Sequence, residues 1–481
     1  MARLLIGSGA GSVSLDDTLR RLTNLSTHSY GFEGAATASG TVQDASGDTV
    51  LTTVTGTGLT YAANGVPYGG VYNSIIEARG DTLVVQLTGV ALPVAAMIDT
   101  QTVNTGNGTT ALRAAFKGFD LIQGNDGGNT LHGFAAGDVI MGGAGNDTLT
   151  AAAGGNILIP GLGQNTVNGG TGSDTVIIDA FRSQATLTNP VQSGFVSGPG
   201  FQDVLSSIES VRFTDGTTFY GTGTNGAEAY RLYQATLGRT PDVTGLGYWT
   251  NDLDRGVDIH IVAQGFVNST EFKTTYGNLD NTGFVNTLYQ NVLGRAGDAS
   301  GIAYWTSNLS SGALSRSDVV VNFSESSENV AKTAPQVQQG VFGISPAATD
   351  VLRIYELLLG RAPDASGMKY WTEQHGGPTA ANALATTGVN APAVQSMDTI
   401  EREFMATGEY RAIYDALPNQ DFVAKAYVES FGRPADAPGL SYWTTALNTG
   451  ALSRQAVLHN FAESQEMTTK IGNLVQNGIK F

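Results

Sequence analysis

At 481 residues and 41% hydrophobic content the chain can build several cores, and its 63 glycines point to many tight turns. An excess of 42 Asp and Glu over 25 Lys and Arg gives a charge of −17, which repels nucleic acid and anionic lipid and attracts divalent cations. With no cysteine, disulfides, thiolate metal sites and cysteine nucleophiles are excluded.

The first residues, Met1 to Gly7, hold only a short apolar stretch, Leu4-Leu5-Ile6, too brief for a signal-peptide core. No run of roughly 18 apolar residues occurs, so no transmembrane segment is expected. The chain is expected either to remain in the cytoplasm or to be exported without a cleaved N-terminal signal.

Residues 1–114 are rich in Thr, Val, Gly and Ala, with alternating runs such as Thr82-Leu-Val-Val-Gln-Leu87 between turn signals at Asn64-Gly65 and Asn107-Gly108. This pattern predicts an N-terminal all-β domain, with no chemistry assigned.

From Ala115 the pattern becomes a repeat of nine. Blocks begin at Ala115, Gly124, Gly133, Gly142, Ala151, Pro160 and Gly169. Position six is Asp120, Asn129, Asp138, Asp147, Asn156, Asn165 and Asp174; position eight is Ile122, Leu131, Ile140, Leu149, Leu158, Val167 and Val176. Two blocks, Gly142–Thr150 and Gly169–Ile177, match GGxGxDxUx in full. Such turns aim backbone carbonyls and a carboxylate at a hard cation, and Ca²⁺ accepts about six to eight oxygens. The position-six residues are therefore the candidate metal ligands and Ca²⁺ the expected cofactor.

With two blocks per coil, one edge carries Asp120, Asp138, Asn156 and Asp174 and the other Asn129, Asp147 and Asn165. The tightest site is expected between the Asp120 and Asp138 turns, since asparagine offers a carbonyl but no charge. One aliphatic side chain per block is too thin a core to offset the ordering entropy of so much glycine, so folding and ion binding should be one event.

Residues 181–225 are expected to form a β cap and linker, in which the Val204–Thr217 segment, with its Asp215-Gly216 turn, closes the repeat. From 226 to 481 the period is helical, with Val285, Leu288, Tyr289, Val292 and Leu293 on one face and Val351, Ile354, Tyr355, Leu358 and Leu359 repeating it. Four copies of one loop follow such helices: Gly238–Trp249, Gly294–Trp305, Gly360–Trp371 and Gly432–Trp443. An all-α array of four modules is predicted, the third enlarged around Gly376–Ser396.

The nonapeptides resemble the RTX family of bacterial proteins exported by type I secretion, over about residues 115–220. The resemblance implies a parallel β-roll, an uncleaved C-terminal secretion signal and folding on external calcium. Asn129, Asn156, Asn165 and the block from Ala151 depart from the family pattern. The loops Gly-Arg-x-Pro-Asp-x-x-Gly-x-x-Tyr-Trp look like the DUF4214 repeat, with Gly297 departing in the second copy. Such modules are similar to parts of surface-layer and other secreted proteins, which implies a surface location and no established reaction.

Asp242, Asp298, Asp364 and Asp436 read as helix N-caps partnered by Arg239, Arg295, Arg361 and Arg433, with a calcium or glycan role as the sharper alternative. The four Tyr-Trp pairs read as core anchors, with sugar stacking as the alternative. His28, His132, His260, His375 and His459 lack the H-E-x-x-H spacing of zincins, no G-x-S-x-G or P-loop motif occurs, and Gly7–Gly11 is a lone glycine cluster. The expectation is a secreted, non-enzymatic structural protein that self-assembles on the bacterial cell surface as a layer, sheath or filament. The alternative is an adhesin holding lipopolysaccharide or exopolysaccharide; an extracellular enzyme ranks below both. Nucleic acid is not an expected partner.

Overall fold

A computed structural model describes residues 3–8, 13–14, 29–32, 36–43, 49–61, 67–94, 116, 118–379, 382, 393–476 and 478–481. These fall into two compact units, the first drawn from residues 1–180 and 184–211 and the second from 181–183, 212–382 and 391–481. All-β, roll and all-α segments follow one another along the chain in the expected order.

The first unit holds β1 (Arg3–Ile6), β2 (Val13–Ser14), β3 (Ser29–Phe32), β4 (Thr37–Gln43), β5 (Thr49–Tyr61), β6 (Pro67–Arg79) and β7 (Thr82–Pro93). The repeat supplies β8 (Leu121–Gln123), β9 (Asn129–His132), β10 (Val139–Gly143), β11 (Thr148–Thr150), β12 (Ile157–Gly161), β13 (Thr166–Asn168) and β14 (Thr175–Ile177). Then come β15 (Thr186–Leu187), β16 (Gly194–Gly198) and β17 (Phe201–Ser206).

Strands of the repeat alternate between two parallel sheets. Ile140 lies beside Ile122 and Leu158 in one, Leu149 beside Leu131 and Val167 in the other. Two blocks therefore make one coil. All seven position-eight side chains are fully buried between the sheets, the single aliphatic row that the spacing of nine predicts.

A boundary near residue 115 was expected, and the strands cross it. β1 pairs antiparallel with β7 and parallel with β8, setting Leu4 beside Ile122, while β2 pairs parallel with β9. The physical reason is the exposed backbone of the first coil: β8 and β9 would present unpaired N–H and C=O groups, and the N-terminal strands satisfy them. Beyond β1, strands β7 to β3 continue as an antiparallel meander with Val54, Tyr72, Ile75 and Leu87 buried. The expected turns at Asn64-Gly65 and Asn107-Gly108, and residues 9–11 of the glycine cluster, lie outside the described residues.

β18 (Ser210–Phe213) spans the division between the units, and the Asp215-Gly216 turn leads to β19 (Gly216–Phe219), which pairs antiparallel with β20 (Val341–Ile344). The rest of the second unit is helical. Module one is α1 (Asn225–Leu237), α2 (Val243–Asp254), α3 (Ile259–Asn268) and α4 (Thr270–Tyr276). Module two is α5 (Asn281–Leu288), α6 (Ala299–Ser311), α7 (Arg316–Ser324) and α8 (Ser327–Val337); module three is α9 (Pro346–Ile354), α10 (Ala365–Gln374), α11 (Met397–Met405) and α12 (Gly408–Tyr414). Module four is α13 (Asn419–Phe431), α14 (Ala437–Asn448), α15 (Arg454–Ala462) and α16 (Gln465–Leu474). The enlargement of module three sits between α10 and α11 and lies partly outside the described residues.

The modules are paired. Modules one and two share one core, from Ala227 to Val337, and modules three and four another, from Ile344 to Ile479. Arg316 of module two donates to the carbonyls of Tyr276 and Leu279 at the end of module one, and Arg454 does the same to Tyr414 and Leu417.

Candidate metal centre and the repeated loops

Five of the seven position-six side chains, those of Asp138, Asp147, Asn156, Asn165 and Asp174, tie one coil to the last. The backbone N–H of Asp120 donates to Asp138 Oδ1 at 3.1 Å, Asn129 to Asp147 at 2.7 Å, and Asp138 to Asn156 at 2.9 Å. Asp147 donates to Asn165 at 2.8 Å and Asn156 to Asp174 at 2.9 Å. All seven predicted residues are at most 2% exposed.

Two rungs come from outside the repeat. Asn165 N–H donates to Asp203 Oδ1 at 3.3 Å, and Asp174 N–H donates to Glu209 Oε2 at 2.8 Å. Asp203 enters because Val167 pairs with Leu205 in the same parallel register as the nonapeptides, after an insertion that breaks the count of nine. The sequence signal was Asp203-Val-Leu-Ser206, which repeats the D-x-U-x tail of a block. The coil therefore runs into residues expected to be only cap and linker.

Asparagine on these edges has a consistent neighbour. Asn129, Asn156 and Asn165 each send both the backbone N–H and the side-chain amide to Oδ1 of the next acidic residue along: Asp147, Asp174 and Asp203. A neutral amide so placed holds two coils together without adding a second negative charge.

The carboxylates suit a hard cation. Oδ2 of Asp147, Asp174 and Asp203 is buried and lacks a hydrogen-bond partner, a costly state for an acceptor unless an ion supplies the missing interaction. At Gly142 a Cβ would lie 2.4 Å from Asp147 Oδ2 and 2.5 Å from the Pro160 carbonyl. Oxygens of successive coils thus converge where a side chain would stand, so glycine is needed there. Burial pushes Asp138 up to about 6 even though N–H groups of Ala135, Phe134 and Asp120 pull the other way. Burial likewise raises Asp147 and Asp174, lifts Asp203 to about 6 and raises Glu209. Without a cation, these groups resist carrying charge together. Position-six side chains with the turn carbonyls would hold Ca²⁺, whose charge offsets that cost.

In the helical modules the repeated loop is an internal clasp. Gly238, Gly294, Gly360 and Gly432 end the preceding helix in the left-handed conformation, φ 62–73°. Asp242, Asp298, Asp364 and Asp436 cap the next helix, each accepting from the glycine N–H three residues on. The loop arginines are partnered chiefly by glutamates of the fourth helix: Arg239 by Glu271, Arg295 by Glu328, Arg361 by Glu409 and Arg433 by Glu466. Only Arg239 also approaches its cap, Asp242, at 3.7 Å among the described ion pairs. The guanidinium reaches past the cap because it lies over the ring of Tyr233, Tyr289, Tyr355 or Tyr427, at 5.2–5.3 Å.

The tryptophans pack against Phe266, Phe323, Phe404 and Phe461, with ring centroids 4.8–5.5 Å apart, as core anchors would. The tyrosine before each is different. Tyr248, Tyr304, Tyr370 and Tyr442 are 53–63% exposed and stand edge-on to their tryptophans.

Among the described residues Asp398, Glu401 and His459 form one further group with metal-ligand chemistry. Glu401 is buried, and its two oxygens already meet His459 Nδ1 at 3.0 Å and Gln455 Nε2 at 3.2 Å. The cluster joins α11 to α15 as a structural contact between modules.

The RTX calcium-binding nonapeptide repeat model matches residues 116–149 and 142–176, the coils that carry the carboxylate rungs. The model of DUF4214, a domain of unknown function, matches residues 209–276, 263–333 and 402–471. Those segments cover modules one, two and four. Module three largely falls outside them, yet repeats the cap, ion pair and Trp–Phe contact through Asp364, Arg361–Glu409 and Trp371–Phe404. No curated protein and no solved structure matches the chain, and no helix among the described residues is long and apolar enough to cross a membrane. The chain thus joins two known repeat types, RTX calcium-binding nonapeptides in its roll and DUF4214 modules in its helical unit.

Proposed function

We propose that this is a secreted bacterial protein that orders on external calcium and then assembles with copies of itself at the cell surface. The carrying observation is the buried row of position-six groups, whose unpartnered Oδ2 atoms at Asp147 and Asp174 call for a cation. Sites built this way fill at extracellular calcium, about 10⁻⁴–10⁻³ M for such modules, and not at cytosolic levels. Ordering is thereby tied to arrival outside the cell.

Self-assembly is supported by the helical unit. The recurrent cap, arginine and glutamate are spent on contacts within the module and the tryptophan packs on phenylalanine, which leaves the tyrosine as the recurrent exposed aromatic of each module. A helical array presenting the same aromatic four times is suited to repeated contacts with identical neighbours. No catalytic role is assigned to any residue. Electron microscopy and light scattering of the purified protein test the reading: ordered assemblies at millimolar calcium that dissolve in EGTA are expected, and strictly monomeric protein in both conditions would oppose it.

A second reading is favoured by the same tyrosines, since exposed aromatic rings also stack on sugars. Under it the protein holds lipopolysaccharide or exopolysaccharide. The binding groups are then Tyr248, Tyr304, Tyr370 and Tyr442, because the neighbouring tryptophans are engaged by phenylalanine.

A further inference from the structure

The second edge of the roll alternates between neutral and acidic side chains in spatial order: Asn129, Asp147, Asn165, Asp203. Its last member lies beyond the matched nonapeptides, which end at residue 176. Asp203 is nonetheless built as a rung. It is fully buried, its Oδ1 accepts from the N–H and the amide of Asn165, and its Oδ2 has no hydrogen-bond partner.

The turn that carries Asp203 is also coil-like. Gly163 and Phe201 form a parallel bridge. Gly163 N–H donates to the Gly200 carbonyl at 3.0 Å, and Gln202 N–H donates to the Gly163 carbonyl at 2.8 Å. Turns 160–165 and 198–203 therefore face each other as neighbouring coils do. A buried carboxylate oxygen between them, with no donor to satisfy it, has the chemistry of a cation ligand.

We propose that Asp203 is a calcium ligand, so that the coil ending in β17 forms an additional Ca²⁺ site that the nonapeptide pattern does not include. The inference rests on the calcium-binding reading of the roll and deepens it. The insertion at 178–197 then leaves the metal-binding edge intact: the chain departs after β14, returns through β16, and re-enters register with one more acidic rung. The second edge gains a closing carboxylate beside Asn165, opposite Asp147 on its other side.

The test is direct calcium titration of the full chain, comparing wild type with Asp203→Asn. Asparagine keeps the acceptor for Asn165 and removes the charge. One fewer bound calcium, or one class of site weakened at least about tenfold, is expected, with unchanged helical circular dichroism. Identical stoichiometry and affinities would overturn the role of Asp203 alone. A wild-type chain that binds no calcium would overturn the reading of the roll itself. Should Asp203→Asn fail to fold, Asn165→Asp examines the same turn by adding a carboxylate beside Asp203: one class of sites should tighten severalfold, and no change in any class overturns the proposal.

Discussion

Arg239 and Glu271 lie 32 residues apart and meet through two parallel bonds, Nε to Oε1 at 2.7 Å and Nη2 to Oε2 at 3.1 Å. Beside them Tyr233 supports the guanidinium, and its hydroxyl would lie 1.9 Å from a Cβ at Gly245. Glycine in the loop is thus set by the tyrosine beneath it. The clasp predicts an order of sensitivity. Glu271→Ala removes a half-exposed ion pair and should cost no more than about 1 kcal/mol. Asp242→Ala loses a helix cap, about 1 kcal/mol. Trp249→Ala should exceed both, at about 3 kcal/mol. Urea denaturation of the three variants checks the order; equal losses would contradict it.

The exposed tyrosines should behave in the opposite way. Tyr304→Ala removes a side chain that is 57% exposed, so stability should change by no more than about 0.5 kcal/mol. Calcium-dependent assembly should nevertheless weaken, and more so with Tyr248, Tyr370 and Tyr442 also replaced. Sedimentation of the quadruple variant at millimolar calcium reads this; normal assembly would remove the tyrosines from the account. Glycan binding lost with assembly intact would favour the second reading.

Acid should partly replace calcium. In the metal-free roll burial raises Asp138 and Asp203 to about 6 and lifts Asp147, Asp174 and Glu209. A raised folded-state pKa means that the folded chain binds more protons than the unfolded one. The stabilisation is complete below the unfolded value, about 4, and is lost as pH rises through the folded value. Metal-free protein should therefore show more strand structure near about pH 5 than near about pH 8. Calcium affinity should run the other way, because the ligands must be deprotonated. Circular dichroism across this range decides; a metal-free roll that gains order as pH rises would be contrary.

The single aliphatic row makes the roll sensitive to one substitution. Leu149 is fully buried between Leu131 and Val167. Leu149→Ala should cost about 2–4 kcal/mol. Because ordering and binding are coupled, the loss should appear as a higher calcium midpoint for folding, with the helical unit unaffected.

The sequence carried the roll legibly where the count of nine was unbroken. Position six and position eight follow from local spacing, and the two edges follow from two blocks per coil. The pairing of β1 and β2 with the first coil was not legible, because it links residues more than a hundred positions apart and no local pattern encodes a strand's partner. Asp203 was hidden by the insertion after Ile177, although its D-x-U-x tail was present. In the helical unit the capping aspartates were readable from their position before each helix. Their arginines were assigned to the nearest acid, whereas the structure joins them chiefly to glutamates 32 to 48 residues on. The sharing of each core by two modules depends on contacts between helices and leaves no periodic trace.

Hydrogen exchange of the full chain with and without calcium tests the central claim most directly. The amides of Val139, Ile157, Thr166, Thr175 and Val204 each donate to the position-six carbonyl one coil back, and so report coil stacking. They should exchange rapidly in EGTA and become protected at millimolar calcium, while α1–α16 stay protected in both. Equal protection of those five amides in the two conditions would contradict the account.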